Sequence, residues 1–108
     1  MKDTEKLPLF GSRGKTYFFK VYPLTADYPA EAGVYLFTKR EPAPNAIFTI
    51  VSIGHTGHFP AISKLHVGEN NGINTVCLLR MDNADDRLAT VAELAERYGL
   101  ICNEGANS

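Results

Sequence analysis

The chain has 108 residues, enough for one domain with a modest core. With 44% hydrophobic and 21% charged residues it has the composition of a soluble globular protein, and no apolar run approaches the ~20 residues that a membrane-spanning helix needs. The net charge of −1 argues mildly against a dedicated nucleic-acid binder, and the first residues lack the apolar core of a signal peptide, so we expect a cytoplasmic protein.

The first two segments differ in their local signals. Residues 1–16 contain Pro8, Gly11 and Gly14 without a clear period, which predicts a flexible or irregular N-terminal arm. Residues 17–22 are aromatic and β-branched, which predicts a strand that ends at Pro23.

Two short apolar runs follow, at residues 33–37 (GVYLF) and 47–54 (IFTIVSIG). Residues 41–45 (EPAPN) lie between them and can turn the chain but cannot continue a strand. The pattern predicts a β-hairpin.

The rest of the chain predicts a short helix over residues 59–66, a strand over 73–81 and a final helix. Asp82 or Asn83 can cap that helix, Gly99 can end it, and an apolar stripe is expected on its buried side. The stripe consists of Leu88, Val91, Ala92 and Ala95. This order predicts an α+β fold with a small antiparallel sheet flanked by helices, one domain over residues 17–103 and a tail over 104–108.

The hairpin carries two triplets, Gly33-Val34-Tyr35 and Ser52-Ile53-Gly54, followed by the polar turn of residues 55–59. Arg87-Leu88-Ala89, Tyr98 and Cys102-Asn103 come later in the chain. This ordered set resembles the GIY-YIG nuclease domain. The resemblance implies a hairpin whose two triplets converge on one active site for phosphodiester cleavage.

The resemblance also implies which groups would act. Tyr35 matches the first tyrosine of the family, whereas Ser52 stands in place of the second. Ile62 falls near the position of the phosphate-binding arginine, and Val91 at that of the Mg²⁺-binding glutamate. His66 can match the family's histidine. The degenerate site therefore comprises Tyr35, Ser52, His55, Ile62, His66 and Val91.

Loss of the arginine, the metal carboxylate and one tyrosine leaves little catalytic power, because a single transition-state charge partner is worth about 10²–10³ in rate. The leading hypothesis is an inactive, nuclease-like domain that serves as a nucleic-acid-binding or regulatory module. Its candidate phosphate contacts are Lys15, Lys20, Lys39 and Arg40.

Two alternatives stay open. One is a protein-interaction module or homo-oligomer that associates through the aromatic strand of residues 17–22 or through an exposed sheet edge. The other is a divergent nuclease that uses Tyr35, His66 and an unconventional carboxylate, and it is the only reading that requires Mg²⁺. We predict no other cofactor, no metal site and no membrane partner. Cys77 and Cys102 are expected to stay reduced, and Cys77 to be a small buried hydrophobe.

Overall fold

The computed structural model describes residues 5–11, 14–23, 27–41, 47–64 and 73–103. These residues form six strands, one 3₁₀ helix and one α-helix, which confirms the α+β class. The elements are β1 (Lys6–Phe10), β2 (Thr16–Pro23), β3 (Gly33–Arg40), β4 (Phe48–Thr56), the 3₁₀ helix (Phe59–Lys64), β5 (Thr75–Arg80), α1 (Ala84–Tyr98) and β6 (Ile101–Asn103).

The strands of the described residues make one sheet in the order β1-β2-β5-β3-β4-β6. The first five are antiparallel to their neighbours, and β6 lies parallel to β4. The predicted hairpin is confirmed as β3 and β4, with Gly33 opposite Thr56 at one end and Arg40 opposite Phe48 at the other. Its register shifts after Phe37, at a β-bulge.

The two faces of the sheet pack against different partners. The inner face packs against α1. Val34, Leu36 and Ile53 of the sheet belong to the same core as Val91 and Leu94 of the helix. The outer face carries a second core, in which strand residues contact the 3₁₀ helix and Tyr28. That second core consists of Tyr28, Tyr35, Phe37, Phe59, Ile62, Val76 and Leu78. Since successive strand residues point to opposite faces, neighbours such as Val34 and Tyr35 belong to different cores.

The ends of α1 are those that the sequence predicts. The Asn83 side chain accepts a hydrogen bond of 3.0 Å from the Asp86 backbone N–H, and Gly99 adopts a left-handed conformation with φ 65°. The Gly99 N–H is bonded to the Ala95 carbonyl. Both caps satisfy backbone groups that the helix leaves unpaired at its termini.

The predicted buried stripe of α1 is wrong for two of its members. Leu88 is 60% exposed and Ala92 is also exposed. The helix instead turns Arg87, Thr90, Val91 and Leu94 toward the sheet, at the i, i+3, i+4 and i+7 positions of one face. Packing against the sheet therefore determines which side of the helix is buried. That side carries Arg87, and Leu88 is left exposed.

The prediction of an irregular arm over residues 1–16 is also wrong for Lys6–Phe10, which form β1. Leu7 and Leu9 face the inner core, and every residue of β1 has a partner on β2. The connection to β2 runs through Gly14, which has φ 73°. The two leucines at alternating positions provide the burial that stabilises this strand.

The remaining elements match the sequence closely. The strands predicted at 17–22 and 73–81 are confirmed as Thr16–Pro23 and Thr75–Arg80. The short helix predicted at 59–66 is confirmed as Phe59–Lys64, whereas His66 and the predicted tail 104–108 lie outside the described residues. No helix in the described ranges is long and apolar enough to cross a membrane.

Candidate functional site

Tyr35 lies at the centre of β3 on the outer face and is fully buried. Its ring contacts Phe37 with a centroid distance of 5.2 Å, and it belongs to the core that Phe59 and Ile62 of the 3₁₀ helix complete. Burial raises the pKa of the Tyr35 phenol, and no described residue forms a hydrogen bond with its hydroxyl. The phenol therefore stays protonated and out of contact with solvent.

Ser52 and Ile62 lie in the same region. Ser52 is opposite Phe37 on β4, which places it on the outer face with Tyr35. Ser52 is buried, and Ile62 of the 3₁₀ helix is fully buried. We call this part of the outer face, where Tyr35, Phe37, Val76 and Leu78 meet Phe59 and Ile62, the covered region.

Gly33, the first residue of the first triplet, has a packing role at the edge of the covered region. A Cβ atom on Gly33 would lie 2.0 Å from the Leu79 carbonyl oxygen and 2.6 Å from Cζ of Phe59. Only a glycine lets β3 approach β5 and Phe59 this closely. The triplet thus has a structural explanation that requires no catalysis.

His55 and Val91 lie on the other side of the sheet. His55 is opposite Val34, an inner-face residue, and Val91 projects from α1 into the inner core. Burial, and then the positive charge of Arg87, lower the pKa of His55. Neutral imidazole is consequently favoured, and its Nδ1 atom has no hydrogen-bond partner in the described part of the chain.

Arg87 is a buried cation that the sequence reasoning did not single out as a site residue. Its Nη1 atom donates to the backbone oxygens of Met81 and Asp82, at 3.2 and 2.8 Å. Its Nε atom has no partner within the described ranges. The guanidinium therefore fixes the turn before α1 and lies beside His55, on the face opposite Tyr35.

The described members of the degenerate site do not converge. Tyr35, Ser52 and Ile62 share the outer face, and His55 and Val91 share the inner face. One layer of backbone separates the two groups, and His66 lies outside the described residues. The described ranges contain no group of three or more His, Cys, Asp or Glu side chains that could hold a metal ion.

The four predicted phosphate contacts are also spread over both faces. Lys15 lies over the ring of Tyr17, 5.1 Å from its centroid, and Tyr17 belongs to the inner core. Arg40 forms an ion pair with Glu5 and covers the Phe48 ring at 5.2 Å. Lys20 and Lys39 are exposed, on strands that β5 separates. The four cations do not form a single surface.

The outer face of β1 and β2 exposes aromatic and basic side chains; the sequence predicted the part on β2, through Lys20 and the aromatic strand of residues 17–22, and missed the part on β1. Phe10 and Phe18 are 54% and 56% exposed, and Lys6 and Lys20 beside them are exposed as well. Pro8 is opposite Phe18, and Lys6 is opposite Lys20. We call these five residues, Lys6, Pro8, Phe10, Phe18 and Lys20, the β1–β2 face. The alternation of Leu7 and Leu9 with Lys6, Pro8 and Phe10 was the signal that could have found the β1 part.

A groove of about 340 Å³ opens on the inner side, where the curled sheet brings its first strand toward β4. The side chains that line it are apolar apart from the Tyr98 hydroxyl, which accepts a hydrogen bond of 2.8 Å from the Phe10 backbone N–H. The lining residues are Leu7, Leu9, Phe48, Ile50, Tyr98 and Leu100.

Comparison of the chain with models of known protein families, with curated proteins and with solved structures finds no significant match.

Proposed function

We propose that the chain is a GIY-YIG-like domain that binds nucleic acid in the cytoplasm and does not cleave it. The observation that supports the absence of cleavage is the separation of Tyr35 and Val91 by the sheet. Phosphodiester hydrolysis needs a water-activating group, positive charge on the phosphate and usually a metal carboxylate at one solvent-accessible point. Buried side chains on opposite faces do not meet that need.

Unpaired cations support nucleic acid as the ligand. Lys6, Lys20 and Lys39 are exposed, and no described carboxylate forms an ion pair with any of them. Contacts between lysines and phosphates release counterions and do not require a bound metal. The proposal therefore includes no cofactor.

The test measures binding and cleavage in the same samples, with end-labelled single- and double-stranded DNA and RNA, in Mg²⁺, Mn²⁺ or EDTA. We expect binding in all three solutions, weakening as salt rises, with every labelled strand intact. Metal-dependent cleavage that is lost in Tyr35→Phe would contradict the proposal and support a divergent nuclease. Absence of binding to every nucleic acid at low salt would also contradict it.

A protein-interaction module or homo-oligomer is the second candidate, favoured by the exposed Phe10 and Phe18 rings and by the apolar groove. Pairing of β1 with a second copy is disfavoured, because Pro8 cannot donate a hydrogen bond from this edge strand. Sedimentation over a wide range of concentrations separates the candidates. A stable dimer whose formation is abolished by Phe18→Ala would favour self-association over nucleic-acid binding.

A further inference from the structure

We infer that the β1–β2 face is a stacking surface for single-stranded nucleic acid, with Phe18 and Phe10 each holding one base. This inference rests on the proposed function and specifies the ligand and its interface. Its starting point is the exposure of two phenyl rings, Phe18 between the buried Tyr17 and Phe19 on β2, and Phe10 after the buried Leu9 on β1.

The spacing of the two rings favours an unstacked strand. Phe18 is opposite Pro8 and Phe10 is opposite Thr16, so the two phenylalanines are diagonal neighbours on one face. Diagonal neighbours in an antiparallel pair are about 7–8 Å apart, roughly twice the ~3.4 Å rise between stacked bases of one strand. Two adjacent bases can therefore occupy both rings only when they no longer stack on each other. In a duplex the base faces are hidden, so the rings would have no partner.

The charges next to the rings fit a phosphate backbone. Lys6 and Lys20 are directly opposite each other on the two strands. Two like charges in this position destabilise the pair unless an anion lies between them. Lys20 is two residues from Phe18 on the same strand, so the Cα atoms of the two residues are about 7 Å apart. Arg80, on the outer face at the end of β5, already forms an ion pair with Asp82 at 3.3 Å, so the two lysines are the cations that remain for a phosphate. A strand whose bases lie on the rings can place its phosphates beside these cations.

A contrast with other cations of the fold supports an external anion. On the inner face, Arg40 has a carboxylate partner in Glu5 and an aromatic partner in Phe48. On the β1–β2 face, the described residues provide no carboxylate for Lys6 or Lys20. The fold thus compensates Arg40 and Arg80 with carboxylates and leaves Lys6 and Lys20 for a ligand.

The test titrates a fluorescent mixed-sequence oligonucleotide, as single-stranded DNA, single-stranded RNA and duplex DNA, with the full chain and follows fluorescence anisotropy. We expect tighter binding of the single strands than of the duplex. Phe18→Ala is expected to weaken single-strand binding about 5- to 150-fold, the range that follows from removing one stacked base. Lys20→Ala is expected to reduce the slope of log affinity against log salt by about 0.7.

Three further variants separate stacking from general effects. Phe18→Tyr keeps an aromatic ring and should bind like the wild type, whereas Phe18→Leu keeps an apolar side chain and should bind as weakly as Phe18→Ala. Leu88→Ala removes a similarly exposed apolar side chain from α1 and should not change binding. Thermal unfolding of each variant confirms that it is folded.

The outcomes distinguish this inference from the proposed function. Salt-dependent binding that is unchanged by Phe18→Ala, or equal in Phe18→Leu and wild type, would overturn the stacking surface while leaving nucleic-acid binding intact. Equal affinity for duplex and single strands would also overturn it. Failure to bind any of the three probes at low salt would overturn both the inference and the proposed function.

Discussion

The outer face of one sheet is divided into two regions with opposite properties. Over β3 and β5 the 3₁₀ helix covers Tyr35, which is completely buried. Over β1 and β2, Phe18 also points to the outer face, but it is more than half exposed. The residues that suggest a nuclease thus lie in a core, while the residues that can meet a ligand lie on the hairpin that precedes them. A tyrosine in a signature is a candidate catalyst only where the fold leaves its hydroxyl accessible.

Weakening the contact between the 3₁₀ helix and the sheet should have the largest effect on stability. Ile62→Ala deletes a fully buried side chain of the 3₁₀ helix, and we expect the free energy of unfolding to fall by about 2–5 kcal/mol. Chemical denaturation measures it, with Leu88→Ala as a control that should stay within about 0.5 kcal/mol of the wild type. Equal effects of the two substitutions would mean that the covered region is open in solution.

The close packing at the edge of the covered region can be tested next. Gly33→Ala places a methyl group against the Leu79 carbonyl and Phe59, and we expect a loss of about 1–3 kcal/mol of unfolding free energy from overpacking. Denaturant unfolding of Gly33→Ala measures that loss. Gly14→Ala is a useful second variant, because the methyl group there meets no neighbour and only the left-handed backbone is strained. Wild-type stability of Gly33→Ala would show that β3 and β5 are less closely packed than described.

Removal of the Tyr35 hydroxyl, unlike the two changes above, should stabilise the fold. Since this buried group has no described hydrogen-bond partner, Tyr35→Phe should raise the free energy of unfolding by about 1 kcal/mol and leave nucleic-acid binding unchanged. Thermal and denaturant unfolding both measure the gain. A clear loss of stability would indicate that the hydroxyl has a partner, and loss of a cleavage activity would indicate a catalytic role.

The inner face provides the smallest predicted effect, through His55. Burial and Arg87 hold the pKa of the folded His55 below its ordinary value of 6.5, so the unfolded chain takes up this proton at higher pH than the folded chain does. The contribution of neutral His55 to the free energy of unfolding is therefore fully present above about pH 6.5 and is lost as the pH falls below that value. NMR titration should give a His55 midpoint below 6.5 that rises in Arg87→Gln. A midpoint at or above 6.5 would contradict the described position of the imidazole.

Local signals in the sequence predict much of the fold. Prolines between two β-branched runs identify the β3–β4 hairpin, and Asn83 and Gly99 identify both ends of α1. These features depend on residues within one turn or strand. The strand at Lys6–Phe10 was missed because Pro8 and the nearby glycines outweighed the alternation of Leu7 and Leu9.

The candidate site depends on long-range packing, which local signals do not contain. Alternation places Val34 and Tyr35 on opposite faces, but it does not say which face a helix will cover. The same holds for α1, where docking buries Arg87 and exposes Leu88. Sequence positions that match one signature were therefore assigned to one site, although the sheet separates Tyr35 from Val91.

The most direct test of the division between the two outer regions is NMR mapping of a bound single-stranded oligonucleotide on the isotope-labelled chain. We predict that the resonances of Phe10, Phe18 and Lys20 shift on binding, while those of Tyr35 and Ile62 stay unchanged. Shifts centred on Tyr35, or on His55 and Arg87, with an unperturbed β1–β2 face would contradict the account.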